Sequence, residues 1–243
     1  MPPSRQPHIG TLNEGSLHRG LKDWLAQPGD RFEVPLGQFV IDIVRGDLLI
    51  EIQTGSIGAM GHKLDRLLDD HRIRIVRPIA ATRWFEQPGK KRRKSPKRQH
   101  LWSIFDEMVS IPTLLEHPNL ELQVLLIEES EVRSATDRVR RGQRGRVVDR
   151  RLDTVIEQHL ITSLDQMLAV LPGDLDQPFG TAELAKAAGI PRDLAQRVCY
   201  VLRHAGLIDE VQRTRAGILY RRKAAQNECA SQPETTCTQW SGR

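Results

Sequence analysis

The sequence lacks the features that mark secreted, membrane-spanning and disulfide-bonded proteins. No apolar run approaches the roughly 20 residues that a membrane span needs, and the N-terminal stretch MPPSRQPHIG has no apolar signal core. The three cysteines, Cys199, Cys229 and Cys237, have neither a disulfide framework nor the spacing of zinc ligands. These absences predict a cytoplasmic protein with no membrane partner. Its 243 residues are enough for one large domain or two smaller ones.

Acidic residues are nearly missing from two strongly basic stretches. Lysine and arginine outnumber the acids 36 to 31, and residues 89–98, GKKRRKSPKR, hold seven cations and no acid. Residues 138–151 hold seven arginines and one acid, Asp149. Such clusters favour polyanion binding because neutralised phosphates release counterions, although a solvated loop that aids solubility has the same composition. The DNA contacts predicted in these stretches are Lys90, Lys91, Arg92, Arg93, Arg140, Arg141 and Arg144.

Two apolar strands joined by a tight turn are predicted within residues 38–53, QFVIDIVRGDLLIEIQ. A two-residue loop at Arg45-Gly46 pairs Val44 with Asp47. Because side chains alternate between the faces of a strand, Asp42 and Glu51 then share one face and lie diagonally across the ladder, roughly 7–8 Å apart between backbones. The other face is entirely apolar and consists of Phe39, Ile41, Ile43, Leu48, Ile50 and Ile52.

Asp42 and Glu51 are therefore candidate metal ligands. Two carboxylates among apolar neighbours are costly to bury unless a cation compensates their charge, and carboxylate oxygens suit Mg²⁺ or Mn²⁺. The alternatives are a pair of surface acids on an exposed strand and partners for buried arginines. A register slip of one residue would turn one acid to the far face.

Helices are predicted on either side of this hairpin. In the first, over residues 12–26, Glu14 lies two turns before Leu21 on the apolar stripe and points inward. The alternative is that Asn13 caps this helix and Glu14 favours its dipole. In the second helix, over residues 59–70, Lys63 either leans back over the end of the hairpin or is solvated. With strands at 31–35, 72–80 and 120–127, the pattern predicts a mixed sheet with helices against its faces.

This order of elements, together with the acids, resembles the PD-(D/E)xK nuclease superfamily, which has the restriction-endonuclease-like fold. The core of that fold is α-β-β-β-α-β, with an acid on the second strand and an E-x-K motif on the third. Asp42 matches the first acid and Glu51-Ile52-Gln53 the second motif, while Glu14 resembles the extra acid of the archaeal Holliday-junction resolvase branch. The resemblance covers residues 12–80 well and the remainder of the first domain loosely. Gln53 replaces the family lysine. Some restriction enzymes of this superfamily carry Gln at this position, and in others the lysine has migrated to a neighbouring helix, for which Lys63 is the candidate. The alternative is that the site is inactive and the domain only binds.

The C-terminal part is predicted to contain helices followed by two short strands. A helical segment is predicted over residues 153–171. A helix capped by Thr181 and ended by Gly189 then precedes a G-I-P turn, a second helix and two short strands. This arrangement resembles the winged-helix DNA-binding family over residues 163–223, although some winged helices are protein-interaction modules instead. The DNA contacts that the resemblance implies are Arg192, Gln196, Arg197 and Arg203 on the second helix and Arg221 and Arg222 in the wing.

The predicted organisation is an α/β protein with a restriction-endonuclease-like mixed sheet flanked by helices and a C-terminal winged-helix domain. Its segments are a flexible N-terminus (1–11), a nuclease-like domain (12–137), a basic linker (138–151), a winged helix-turn-helix domain (152–223) and a disordered tail (224–243).

The resemblance implies a metal-dependent DNA endonuclease that acts on duplex or branched DNA. Asp42 and Glu51 would hold Mg²⁺ or Mn²⁺, Gln53 would orient water, Lys63 would supply the missing cation, and Glu14 would hold a second ion or its hydration shell. The alternatives are a catalytically inactive nuclease-fold regulator that binds DNA and a small-molecule enzyme, which the basic stretches disfavour. Cutting both strands of a duplex would call for a homodimer.

Overall fold

The protein, seen here in a computed structural model, is described over residues 15–113, 116–135, 146–215 and 217–223. These residues form two compact units, 15–104 with 119–160 and 105–118 with 161–223. No helix in the described ranges has the length and apolar character needed to cross a membrane. The predictions for Glu14, for Arg140, Arg141 and Arg144, and for the two chain termini lie outside the described residues.

The first unit is a seven-stranded mixed sheet with helices against it. The strand order is β1-β2-β3-β4-β6-β7, and β5 also pairs with β4. The pairs β1–β2 and β2–β3 are antiparallel, whereas β3–β4 and β4–β6 are parallel. The strands are β1 (Arg31–Leu36), β2 (Phe39–Arg45), β3 (Leu48–Ile52), β4 (Arg72–Glu86), β5 (Arg93–Lys94), β6 (Leu120–Arg133) and β7 (Val147–Ile161).

Helices α1 (Ser16–Leu25) and α2 (Gly61–Leu67) flank this sheet, and short 3₁₀ turns occupy Ile57–Met60 and Leu101–Ile104. The elements from α1 to β4 therefore follow the order α-β-β-β-α-β. The predicted mixed sheet with flanking helices is confirmed. Strands β4 and β6 each extend six residues beyond their predicted ends at 80 and 127.

The loop of the central hairpin lies one residue later than predicted. Arg45 pairs with Leu48, so the two loop residues are Gly46 and Asp47. Gly46 has a φ of 59°, and a two-residue hairpin loop with glycine at its first position is the favoured type II′ turn. The pairing therefore shifts by two residues across the strands, which leaves every side chain on its predicted face.

The apolar face of the hairpin is buried, as its pattern predicts. Residues of β2 and β3 pack with three leucines of α1 because these leucines recur at a spacing of four residues and so form one helix face. This cluster consists of Leu17, Leu21, Leu25, Ile43, Leu48, Ile50, Ile52, Val76, Leu125 and Ile127.

The prediction of a helix over residues 153–171 is wrong. Residues up to Ile161 belong to β7, and helix α4 covers only Leu164–Leu168. Leu152, Ile156 and Leu160 are spaced by four residues and imitate a helical stripe, but hydrogen bonding to β6 sets the conformation of the chain. The abundance of β-branched residues in this segment was the signal for a strand. The sheet of the first unit thus continues past the predicted domain end at 137 and through part of the predicted linker.

The second unit contains α3 (Phe105–Met108), α4, α5 (Thr181–Ala188) and α6 (Arg192–His204), followed by β8 (Ile208–Thr214) and β9 (Gly217–Arg222). Helix α5 ends at Gly189, whose φ of 63° is the left-handed conformation that favours glycine at this position. Strands β8 and β9 form an antiparallel hairpin. The two helices and the hairpin after residue 180 follow the predicted order.

Candidate active site at the end of the central hairpin

Asp42 and Glu51 come together at the open end of the β2–β3 ladder. Ile43 pairs with Ile50, and the next residue on each strand is Asp42 or Glu51, so the two acids face each other directly rather than diagonally. Glu51 also pairs with Ile75 on β4, across the parallel side of the sheet. The acids therefore lie near the carboxyl end of β3, where open mixed and parallel sheets commonly hold their ligands.

Asp42 is held by two hydrogen-bond donors. Its Oδ2 lies 3.1 Å from Nε2 of His18 on α1 and 2.7 Å from the backbone nitrogen of Ile52. Burial alone would raise the pKa of Asp42, but the hydrogen bond and charge of His18, the Ile52 N–H group and the charge of Lys22 outweigh it. The pKa of Asp42 is consequently lowered, and this carboxylate stays ionised.

Glu51 responds in the opposite direction. Burial, followed by the charge of Asp42, raises its pKa to about 7, although the hydrogen bond and charge of Lys63 act against the rise. The Lys63 ammonium lies 2.6 Å from Oε1 of Glu51 and also donates to the Val40 carbonyl at 2.7 Å. Two neighbouring carboxyl groups whose pKa values move apart are typical of catalytic and ligand sites.

Lys63 reaches the acids from α2, as predicted for a migrated lysine. The long side chain crosses back over the hairpin because α2 begins soon after β3 ends. Its ammonium also lies 5.9 Å from the centre of the Phe39 ring, so an apolar surface limits its solvation. The Lys63 side chain is 18% exposed, which excludes the alternative of a fully solvated lysine.

Gln53 is directed away from the acids. Its side-chain amide donates to the Ser56 carbonyl at 2.5 Å, and its backbone nitrogen donates to the Val76 carbonyl at 2.9 Å. Its own carbonyl accepts a hydrogen bond from Arg77 at 2.8 Å. Gln53 therefore fixes the loop that follows β3.

Three further residues, His18, Lys22 and Glu33, lie beside the acids, and of these only His18 was considered for a site from the sequence, with a capping or packing role preferred. His18 contacts Asp42, and the buried ammonium of Lys22 donates to the carboxylate of Glu33 on β1. Glu33 lies between the pairs Phe32–Ile43 and Val34–Ile41, and thus opposite Asp42. Its φ of 51° is rare for a residue with a side chain.

The oxygen donors of Asp42 and Glu51 fit a hard divalent cation. The raised pKa of Glu51 supports this fit because it indicates that this carboxyl group has too little positive charge around it. Within the described ranges, no three His, Cys, Asp or Glu side chains form a cluster able to hold a metal ion. Glu14, the third acid predicted for the site, is outside these ranges.

The basic residues around β5 have unequal environments. Lys90 and Lys91 are exposed, whereas Arg92 stacks over the Trp84 ring at 4.7 Å and pairs with Asp153 at 2.6 Å. Arg93 lies over the Phe85 ring at 4.8 Å. The two lysines are therefore more available to a polyanion than Arg92, whose charge is already neutralised.

The predicted DNA contacts on α6 also differ. Arg192 and Gln196 are exposed on this helix. Arg197 pairs with Asp106 of α3 at 3.1 Å and with Asp193 at 3.0 Å, and Arg203 donates to Glu210 of β8 at 3.2 Å. The latter two arginines help to join the elements of the second unit.

Arg221 and Arg222, the predicted contacts in β9, point in different directions. The side chain of Arg221 is exposed. Arg222 donates to the Pro172 carbonyl, and burial lowers its pKa. Its backbone nitrogen donates to Oε1 of Gln177 at 2.9 Å. Arg222 therefore anchors β9 to the loop before α5 instead of facing outward.

The comparisons with known proteins found one family model and one related protein. A family model described as "Domain of unknown function (DUF8091)" matches residues 15–162. A protein of Treponema pallidum (strain Nichols), described as "Uncharacterized protein", is 33% identical over 186 residues, which cover 73% of this chain and 74% of that protein. No solved structure matches the chain significantly.

Proposed function

We propose that the first unit of this chain, which belongs to the DUF8091 family over residues 15–162, is a metal-dependent DNA endonuclease. The unit would be a member of the PD-(D/E)xK superfamily that hydrolyses phosphodiester bonds. The observation that carries this proposal is the meeting of Asp42 on β2, Glu51 on β3 and Lys63 on α2. The order α-β-β-β-α-β of the surrounding elements supports it.

Asp42 and Glu51 are the residues that would hold Mg²⁺ or Mn²⁺. The bound ion would stabilise the charge of the scissile phosphate and lower the pKa of a water molecule. His18 and the Ile52 N–H group orient Asp42 and keep it ionised. Glu51 must lose its proton to act as a ligand, and its pKa of about 7 sets the pH range in which it does so.

Lys63 takes the role of the lysine that the E-x-K motif lacks. Its ammonium is 2.6 Å from Glu51 and therefore brings a positive charge to the place where a phosphate would lie beside the acids. Gln53 is assigned a different role from the one expected from sequence: its amide is bonded to Ser56, so it supports the loop rather than a water molecule.

Exposed cations on both units would hold the DNA backbone. Lys90 and Lys91 serve this role on the first unit. On the second unit, which we propose to be a winged helix, the exposed polar side chains of Arg192 and Gln196 on α6 and of Arg221 on β9 are suited to phosphates and base edges. Arg92 and Arg222 are not among the proposed DNA contacts because both already form contacts within the protein.

A DNA-binding regulator built on an inactive nuclease fold is the second candidate function. One observation favours it: Lys63 already forms an ion pair with Glu51, and the amide of Gln53 is already engaged with Ser56. The site would then be a structural ion-pair cluster, and the basic residues alone would account for DNA binding.

Nicking of supercoiled plasmid in Mg²⁺ or Mn²⁺ tests the endonuclease. We expect Asp42→Asn, Glu51→Gln and Lys63→Met to abolish nicking while DNA binding measured in EDTA is retained. Asp65→Asn and Lys186→Met are matched controls because both remove an exposed charge. DNA binding without nicking in either metal, on linear, nicked and branched substrates, would establish the regulator instead.

A further inference from the structure

β7 is a long edge strand with exposed apolar side chains. It forms one end of the sheet, so its outer side has no strand partner among the described residues. It is fifteen residues long and contains neither Pro nor Lys, although it carries arginines and acids. Val148, Ile156 and Leu160 are 65%, 48% and 45% exposed. Because natural edge strands are usually short, this length and this exposed apolar surface point to a second strand along the edge.

Two contacts with β6 orient the side chains of β7. Arg150 lies 2.6 Å from Glu129 of β6, and Gln158 lies 3.1 Å from Gln123 of the same strand. Both contacts join an even-numbered residue of β7 to an odd-numbered residue of β6, so Arg150 and Gln158 share one face. The even positions Val148, Leu152, Ile156 and Leu160 form an apolar stripe, in which Leu152 is partly buried against the core of the first unit.

Two-fold symmetry restricts how a second copy can pair with β7. Antiparallel neighbours in one sheet are related by an axis normal to the sheet, which maps each face onto itself. Each residue must then pair with a residue of the second copy whose number differs from its own by an even number. The symmetry axis must therefore pass through a residue of each strand. The register that uses all of Val147–Ile161 is centred on Thr154, the middle residue of the strand.

Charge complementarity favours this register over its two neighbours. With the axis at Thr154, Arg151, which also pairs with Glu86 of its own chain, lies opposite Glu157 of the second copy, and no like charges face each other. If the axis moves to residue 153, Asp149 faces Glu157. If it moves to residue 155, Asp153 faces Glu157. Directly opposed like charges destabilise a strand pair, so both shifted registers are disfavoured.

The apolar stripe is also complementary to itself in this register. Val148 lies opposite Leu160 and Leu152 opposite Ile156, and the symmetry makes each pair occur twice. Cross-strand apolar pairs each add roughly 0.2–1 kcal/mol, so exposed residues on both copies become a shared apolar surface. We propose that two copies of this chain associate through antiparallel pairing of β7 centred on Thr154, independently of whether the candidate site cuts DNA.

Cysteine cross-linking tests the register in the full chain. In a background where Cys229 and Cys237 are replaced by serine, Thr154→Cys sets two thiols directly across the axis, within disulfide range. We expect it to form a covalent dimer under mild oxidation. Val148→Cys is the control because its side chain is exposed but lies 12 positions along the strand from Val148 of the second copy. The two thiols are then roughly 40 Å apart.

Charge reversal tests the pairing without a covalent bond. Glu157→Arg is expected to raise the dimer dissociation constant at least roughly tenfold in analytical ultracentrifugation. Adding Arg151→Glu to that variant is expected to restore the affinity, while circular dichroism shows the same fold for all variants. A chain that stays monomeric up to about 100 μM would overturn the proposal. A dimer in which Val148→Cys cross-links as readily as Thr154→Cys would also overturn it.

Discussion

Replacing Glu51 with glutamine removes a carboxyl group whose ionisation opposes folding. Its pKa is raised from 4.5 to about 7 in the folded protein, mainly by burial and then by the charge of Asp42. The stability that comes from the protonated form is fully present below about pH 4.5 and is lost as the pH rises through about 7. At about 1.4 kcal/mol per pKa unit, wild type loses on the order of 2–3 kcal/mol between pH 5 and pH 8 relative to Glu51→Gln.

The expected result is that the glutamine variant gains stability relative to wild type as the pH rises. Comparing the two proteins at about pH 5 and about pH 8 cancels any effect of the substitution that does not depend on pH. Urea denaturation in EDTA, followed by tryptophan fluorescence, is a suitable assay because Trp24, Trp84 and Trp102 all lie in the first unit. Parallel stability curves for wild type and variant over this pH range would refute the argument from burial.

Asp42→Asn is the comparison variant because Asp42 faces Glu51 from the neighbouring strand. Its own pKa is lowered, so its contribution to stability is present above its ordinary pKa of 3.8 and is lost only as the pH falls further. We expect Asp42→Asn to destabilise the protein at about pH 5 and about pH 8, and by somewhat less at the higher pH, because removing the Asp42 charge lowers the pKa of Glu51. A relative gain at the higher pH as large as that of Glu51→Gln would show that the two acids have been assigned the wrong roles.

Three further predictions concern single side chains. Lys63→Met should raise the pKa of Glu51 further, since the hydrogen bond and charge of Lys63 both lower it; carbon-detected NMR titration of the Glu51 carboxyl measures this shift. Mg²⁺ added below about pH 7 should release up to one proton per ion in calorimetry, and Glu51→Gln should abolish that release. Arg221→Ala should weaken DNA binding without loss of stability, whereas Arg222→Ala should lower the melting temperature of the second unit because it removes the contact with Pro172.

The hairpin and its acids were predictable because the information for them is local. Alternation over residues 39–52 decides which side chains share a face, and this alternation survives a wrong turn position as long as the register moves by two. The position of the turn itself depends on Gly46, whose positive φ suits the first position of the two-residue loop. The prediction had placed Gly46 at the second position of the loop.

The partners of the acids were not predictable in the same way. His18 precedes Asp42 by 24 residues, and Lys63 follows Glu51 by 12. Both contacts depend on how a helix packs over the sheet, which a periodic pattern does not specify. Lys63 could be proposed because a family motif lacked its lysine, whereas the position of His18 near the start of the predicted helix fitted capping or packing better than a place in the site.

β7 shows a different limit. Its leucines and isoleucine recur every four residues, a spacing that fits a helix and also places them on one face of a strand, because four is a multiple of two. Apolar spacing therefore could not separate the two structures, and pairing with β6 decided between them. For the same reason the sequence did not predict the exposed apolar stripe of β7. This stripe can pair two copies only if the segment is a strand at the edge of a sheet.

Burial raises the pKa of both Asp42 and Glu51, whose side chains are 16% and 11% exposed, so the opposite direction of the Asp42 shift comes from its partners. Asp42 receives a backbone N–H donor and His18, and its negative charge then penalises a second charge on the facing strand. Lys63 offsets only part of that penalty, because the pKa of Glu51 remains near 7. A cluster built purely for stability would complete the ion pair and leave both groups ionised. The shortfall of positive charge beside Glu51 is what a divalent cation would correct, and for this reason the endonuclease is preferred over the inactive regulator.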